Sequence, residues 1–209
     1  MKVEKPLLRG HFHQAMFFVS LGAGILLIAR SESRLQYIST IVYSMALLTM
    51  FGISALYHRI TWNPTERFLM KRLDHAGIYL MIAGSFTPMC LLALPSSSGM
   101  PLLTLIWIVA FIGIIQSIFF VNISKMYSAI LYLIMGYMIV PYFTELAAHI
   151  GLVNLSLLIA GGIAYSIGAI SYGLKRPVFK PLVFGYHEFF HVMVAVGAIL
   201  HFILIYSIV

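Results

Sequence analysis

The chain has 209 residues, 61% hydrophobic and 9% charged, with a formal net charge of +7 and one cysteine. Soluble domains average roughly 45–50% apolar and about 25% charged residues, so this composition excludes a soluble globular protein and makes lipid the solvent for much of the chain. The lone Cys90 excludes an intrachain disulfide and C-x-x-C metal or redox motifs, and the placement of the basic residues argues against nucleic acid as the partner.

Seven apolar runs are long enough to cross a bilayer as helices of about 20 residues. In chain order they are Phe12 to Ala29, Tyr37 to His58, Leu73 to Leu94, Leu102 to Val121, Tyr127 to Ala148, Leu152 to Tyr172, and His187 to Val209. The first is read as a mature helix, because it is long and "ARSESR" after it is a poor signal-peptidase site. The breaks "RSESR", "RITWNPTERFLMKR", "PSSSGMP", "NISK", "HIGLVN" and "KRPVFKPLVFGY" carry turn and charge signals. None of the runs alternates with the period of a strand. The chain therefore reads as an all-α integral membrane protein, a single seven-transmembrane helix bundle over residues 1–209. Pro88 and Pro141 fall inside runs and predict kinks.

Basic residues orient the bundle. Lys2, Lys5 and Arg9 in the N-terminal tail, together with the even-numbered loops, account for eleven Lys/Arg; the odd loops and C-terminus hold two. The positive-inside rule then puts the N-terminus in the cytoplasm and the C-terminus outside. The same charges leave binding of acidic headgroups as a subordinate reading.

Ionisable groups within spans are costly and call for a role. In this topology "SALYH" closes the second span, "LDH" opens the third and "HEFFH" opens the seventh, so His58, Asp74, His187 and His191 fall at one depth near the cytoplasmic face. His187 and His191 are one turn apart on one helix face, about 6 Å. Two such imidazoles can share a zinc ion, a catalytic zinc takes three protein ligands, and His58 is the natural third. Ser54, one turn from His58, can bond a ligand, water or substrate, or else turn back to a helix carbonyl. Asp74 can take a proton from an activated water, or else pair with Arg72 or cap the third span. His75 points about 100° away from Asp74. His201 lies roughly 15 Å beyond His191, a packed or hydrogen-bonded histidine, while His11 and His13, at the inner end of the first span, read as interfacial in the first place and as supports behind the metal ligands in the second. Glu145 and His149 belong to the outer end.

"SALYH", "LDHAGIYLMIAGSFTP" and "HEFFH", in this order and context, resemble the haemolysin III group of the progestin and adipoQ receptor family, over essentially the whole chain. The resemblance implies a seven-helix bundle with a cytoplasmic N-terminus. It further implies Zn2+ held by His58, His187 and His191, with Asp74 reaching the metal through water and Ser54 nearby. Kinship with alkaline ceramidases suggests a hydrolase of amide bonds in lipids. Three functions follow as expectations: a zinc-dependent hydrolase of the cell membrane acting on a lipid-like substrate from the inner leaflet; an intramembrane zinc protease with Glu188 as base; and a pore-forming or receptor-type protein with structural zinc. Each is compatible with an oligomer.

Overall fold

The computed structural model describes residues 6–120 and 122–209. Lys2 and Lys5, and Val121 at the expected end of the fourth span, lie outside them. Among the described residues the regular structure is helical: α1 (His11–Arg30), α2 (Arg34–Arg59), α3 (Pro64–Pro88), α4 (Ser96–Phe119), α5 (Lys125–Tyr137), α6 (Phe143–Leu174) and α7 (Tyr186–Ile208). Six segments are long and apolar enough to cross a membrane, with Lys125–Leu174 counting as one of 50 residues. Large apolar side chains such as Phe18, Phe111, Ile112 and Ile134 cover the outside. That surface belongs against lipid rather than water.

Local chemistry sets the helix ends. Ser33 and Gln36 form a capping box at the start of α2, and Asn63 and Glu66 form another before α3, with Pro64 in its first turn. These boxes satisfy backbone N–H groups that have no partner within the helix. Consequently α3 begins nine residues before the expected Leu73, and Asp74 sits well inside it; Asn63 is the cap, not Asp74. Pro88 passes into a π-helical turn, Met89–Ala93, and Pro141 lies in a 3-10 turn, Val140–Tyr142. Both prolines interrupt their helices where a missing N–H requires it.

Gly151, with φ 76° and ψ 165°, breaks the α6 segment. The chain doubles back across this region: Tyr137 Oη lies 3.0 Å from Ser166 Oγ, and Gly173 packs against Met126. Thus α5 runs antiparallel to the later part of α6.

Neighbouring helices pack in chain order from α1 to α4 and from α5 to α7; α3 touches α5, and α7 returns to α1. Small residues permit close approach, as membrane helices require. A Cβ on Gly84 would lie 2.3 Å from that of Ala46, so α2 and α3 meet almost backbone to backbone. At one end of the bundle Gln36 Nε2 donates to the Val209 carbonyl at 2.7 Å. At the other, Leu7 and Leu8 pair with Leu182 and Val183 of the α6–α7 loop, drawing the chain before α1 over the beginning of α7.

Candidate metal centre

The last turn of α2, the third turn of α3 and the first turns of α7 meet at that second end. His58, His187 and His191 are each under 9% exposed, and one ring nitrogen from each lies within 4.8 Å of the others. His58 Nε2 and His187 Nε2 are 3.1 Å apart. The ring centroids of His187 and His191 are 4.7 Å apart, closer than the helical spacing alone suggests. Asp74 Oδ2 is 3.7 Å from His58 Nε2. Asp74 does not pair with Arg72, whose guanidinium lies over the Phe68 ring at 4.3 Å.

This donor set fits a zinc ion. Zn–N bonds of about 2.0–2.1 Å in a tetrahedron place ligand nitrogens about 3.4 Å apart; the His58–His187 pair is close to that spacing at 3.1 Å, and the His191 nitrogen lies within 4.8 Å of both. His191 Nδ1 is also buried with no hydrogen-bond partner, and leaving such a group unsatisfied costs about 1–3 kcal/mol. Three touching imidazoles and a carboxylate in an apolar bundle are the N/O donors that zinc accepts.

Ser54 does not simply turn back to its own helix. Its Oγ is 2.8 Å from His13 Nδ1, and it lines the same cavity as the Asp74 carboxylate. His13 corrects the sequence expectation: it is 2% exposed, not interfacial, and its ring stacks on His191 with centroids 3.8 Å apart. The signal for it was present in α1, where His13, Met16, Ser20, Gly24 and Leu27 form a single buried stripe at helical spacing. His11 instead meets Arg59 at the exposed edge. Gly10 adopts φ 82°, and a Cβ there would stand 2.7 Å from that of His58; the entry to α1 is thus packed directly on the cluster.

Glu188 is fully buried and faces elsewhere. Its Oε1 accepts from Arg9 Nε, and its Oε2 accepts from the Gly185 N–H at 2.8 Å, closing the first turn of α7. The remaining polar groups stand outside the cluster, although His75 and His201 line the cavity that leads from it. His75 Nδ1 contacts the Lys71 carbonyl at 2.8 Å, His201 Nε2 contacts the Leu158 carbonyl at 3.2 Å, and Glu145 accepts from Ser98 at 3.0 Å.

A cavity of about 220 Å³ begins at His13, Asp74, His187 and His191 and continues between α3, α5, α6 and α7. Its walls are mainly apolar. It reaches Tyr137, Val140 and Ile163, all exposed on the outside of the bundle.

The profile of the family described as Haemolysin-III related matches residues 1–202. Hemolysin-3 of Bacillus cereus is 37% identical over 165 residues, covering 77% of this chain and 70% of that protein. The Hemolysin-3 homolog of Bacillus subtilis is 34% identical, covering 79% and 76%. More distantly, the human monocyte to macrophage differentiation factor is 24% identical over 93% of this chain and 80% of its own length. With six membrane-length apolar segments and a family match over nearly its whole length, the chain belongs to the haemolysin-III-related family and is a multi-pass membrane protein.

Proposed function

We propose that the protein is a zinc-dependent membrane hydrolase that cleaves an amide bond in a lipid-like substrate. The observation that carries this reading is the histidine cluster with Asp74 at the head of an apolar cavity that opens toward lipid. Sites for small ligands are typically apolar clefts with a few convergent polar groups, and an acyl chain suits these walls.

In this reading the bundle crosses the membrane seven times, with the N-terminus cytoplasmic and the C-terminus outside. The doubling back at Gly151 supports two crossings within Lys125–Leu174. The basic residues at the histidine end support its cytoplasmic placement.

His58, His187 and His191 would hold the metal. Bound zinc supplies Lewis acidity to a carbonyl and acidifies a water. Asp74 takes up the proton at a carboxylate oxygen and returns it to the leaving nitrogen. Ser54, fixed by His13, steadies that carboxylate. The cavity walls exclude bulk water and align the chain of the substrate.

The protease reading requires Glu188 as a free base, and both its oxygens are engaged by Arg9 and Gly185. A lytic function has the name Hemolysin-3, borne by the Bacillus relatives, in its favour. A pore, however, needs polar lining across the bilayer, whereas the polar groups here gather at one end. Zinc-dependent release of fatty acid from a defined amide lipid by purified protein tests the proposal. Absence of release from zinc-loaded protein, together with ion conductance in liposomes, would replace it with the pore.

A further inference from the structure

Beside the histidine cavity lies a second, open pocket of about 440 Å³, lined by Lys71 of α3, Ser124 and Lys125 at the start of α5, and Lys175 at the end of α6. His75 and Tyr172 line both spaces, and the Tyr172 ring centroid is 5.5 Å from that of His187.

Among the described residues nothing compensates its charge. Among the described residues the carboxylate side chains are Glu32, Glu66, Asp74, Glu145 and Glu188. Glu66 caps α3, Asp74 faces His58, Glu145 holds Ser98 and Glu188 holds Arg9. Glu32 lies between α1 and α2, at the other end of the bundle. None of them pairs with the three lysines. Lys71 instead donates to Asn122 Oδ1 at 3.3 Å, and Lys125 to Tyr186 Oη at 2.9 Å, while its ammonium rests over the Tyr172 ring at 4.6 Å. Lys71 and Lys125 are half-buried, which keeps water from screening their charge fully.

The position of Lys125 is also contrary to helix electrostatics. As the first residue of α5, it stands at the positive end of the helix dipole, which favours an anion and disfavours a cation. A phosphate in the pocket would satisfy the ammonium groups and the dipole together. The Ser124 hydroxyl accepts from the Tyr127 N–H at 3.2 Å and keeps its own proton to donate.

We propose that the Lys71–Lys125–Lys175 pocket binds a phosphate group, either on an anionic lipid headgroup or free in solution. Its occupant lies against the wall shared with the histidine cavity. Binding does not require the hydrolase reading to hold.

The test uses the full chain, purified in neutral detergent, titrated separately with inorganic phosphate, short-chain phosphatidic acid and short-chain diacylglycerol. Calorimetry and thermal unfolding supply the readouts. Saturable binding of phosphate or phosphatidic acid, but not diacylglycerol, is expected, weakening at least tenfold in Lys71→Gln/Lys125→Gln and weakening with salt. Binding of both ligands assigns recognition to the phosphate itself; binding of phosphatidic acid alone assigns it to a lipid headgroup. If neither binds saturably, or wild type and variant bind alike, the proposal is overturned. Should the double variant not yield monodisperse protein, exposed Lys175→Glu decides, with at least threefold weaker binding expected and no change overturning. Zinc content measured on the same samples separates a failure here from a failure of the metal site.

Discussion

Replacing Glu188 by Gln separates two roles for the acid of "HEFFH". In the structure this carboxylate joins the segment before α1 to the first turn of α7, through Arg9 and the Gly185 N–H. Gln keeps an amide oxygen for Gly185 but removes the charge opposite Arg9. A hydrogen bond to a charged group contributes about 1.5–3 kcal/mol. Arg9 is 22% exposed, so partial solvation places the loss toward the lower part of that range. For a chain of this size each kcal/mol moves Tm by about 2–4 °C, giving an expected fall of roughly 3–8 °C. Arg9→Gln should cost more, because it leaves the fully buried Glu188 carboxylate without its counter-charge. The double variant should cost less than the two single losses added, since both remove one interaction. The assay is thermal unfolding in detergent, with zinc content and amide-lipid turnover on the same preparations. Zinc should stay at one per chain and turnover within about threefold of wild type below the transition. A Glu188→Gln protein with unchanged Tm and turnover reduced more than a hundredfold would refute this reasoning and restore Glu188 as a base.

Other substitutions test neighbouring parts of the site. Asp74→Asn should retain zinc but lose turnover by at least a hundredfold, measured as fatty-acid release, because the amide cannot accept the proton. Gly10→Ala forces a side chain into a left-handed conformation, costing about 1–2 kcal/mol. It also presses on His58 at 2.7 Å, an overpacking cost of about 1–3 kcal/mol; unfolding and zinc titration should both show the damage. His13→Phe keeps a ring on His191 and should leave zinc affinity within threefold, whereas His13→Ala removes that support and should weaken it about tenfold. Gly84→Val should destabilise the bundle by several kcal/mol in thermal unfolding, since its Cβ would meet Ala46 at 2.3 Å with no flexible atom to yield.

Much of the architecture is legible in the sequence because hydropathy reports what lipid tolerates. Each break contains a helix end or, at "HIGLVN", the Gly151 reversal, but "RITWNPTERFLMKR" and "PSSSGMP" run on into α3 and α4. The convergence of "SALYH", "LDH" and "HEFFH" is legible for a related reason: charged and imidazole groups within spans stand out against an apolar background. What hydropathy cannot register is helix that is not apolar. Residues 64–72 are rich in polar side chains, so the beginning of α3 escapes a search for greasy runs, although Asn63, Pro64 and Glu66 spell a helix start. Nor does hydropathy tell which face of a uniformly apolar helix turns inward. Hydropathy alone therefore leaves His13 between an interfacial and a supporting position, and the buried stripe through Ser20 and Gly24 puts it on the inner face of α1. The partnership of Glu188 with Arg9 spans 179 residues and has no local signature.

Zinc stoichiometry of the purified chain, compared with that of His187→Ala/His191→Ala after identical handling, tests the metal centre most directly. The account requires one zinc per chain in the wild type and its loss from a variant that still yields folded, monodisperse protein. Wild-type protein that takes up no stoichiometric zinc, or a variant that retains it, would contradict the assignment of His58, His187 and His191 as ligands.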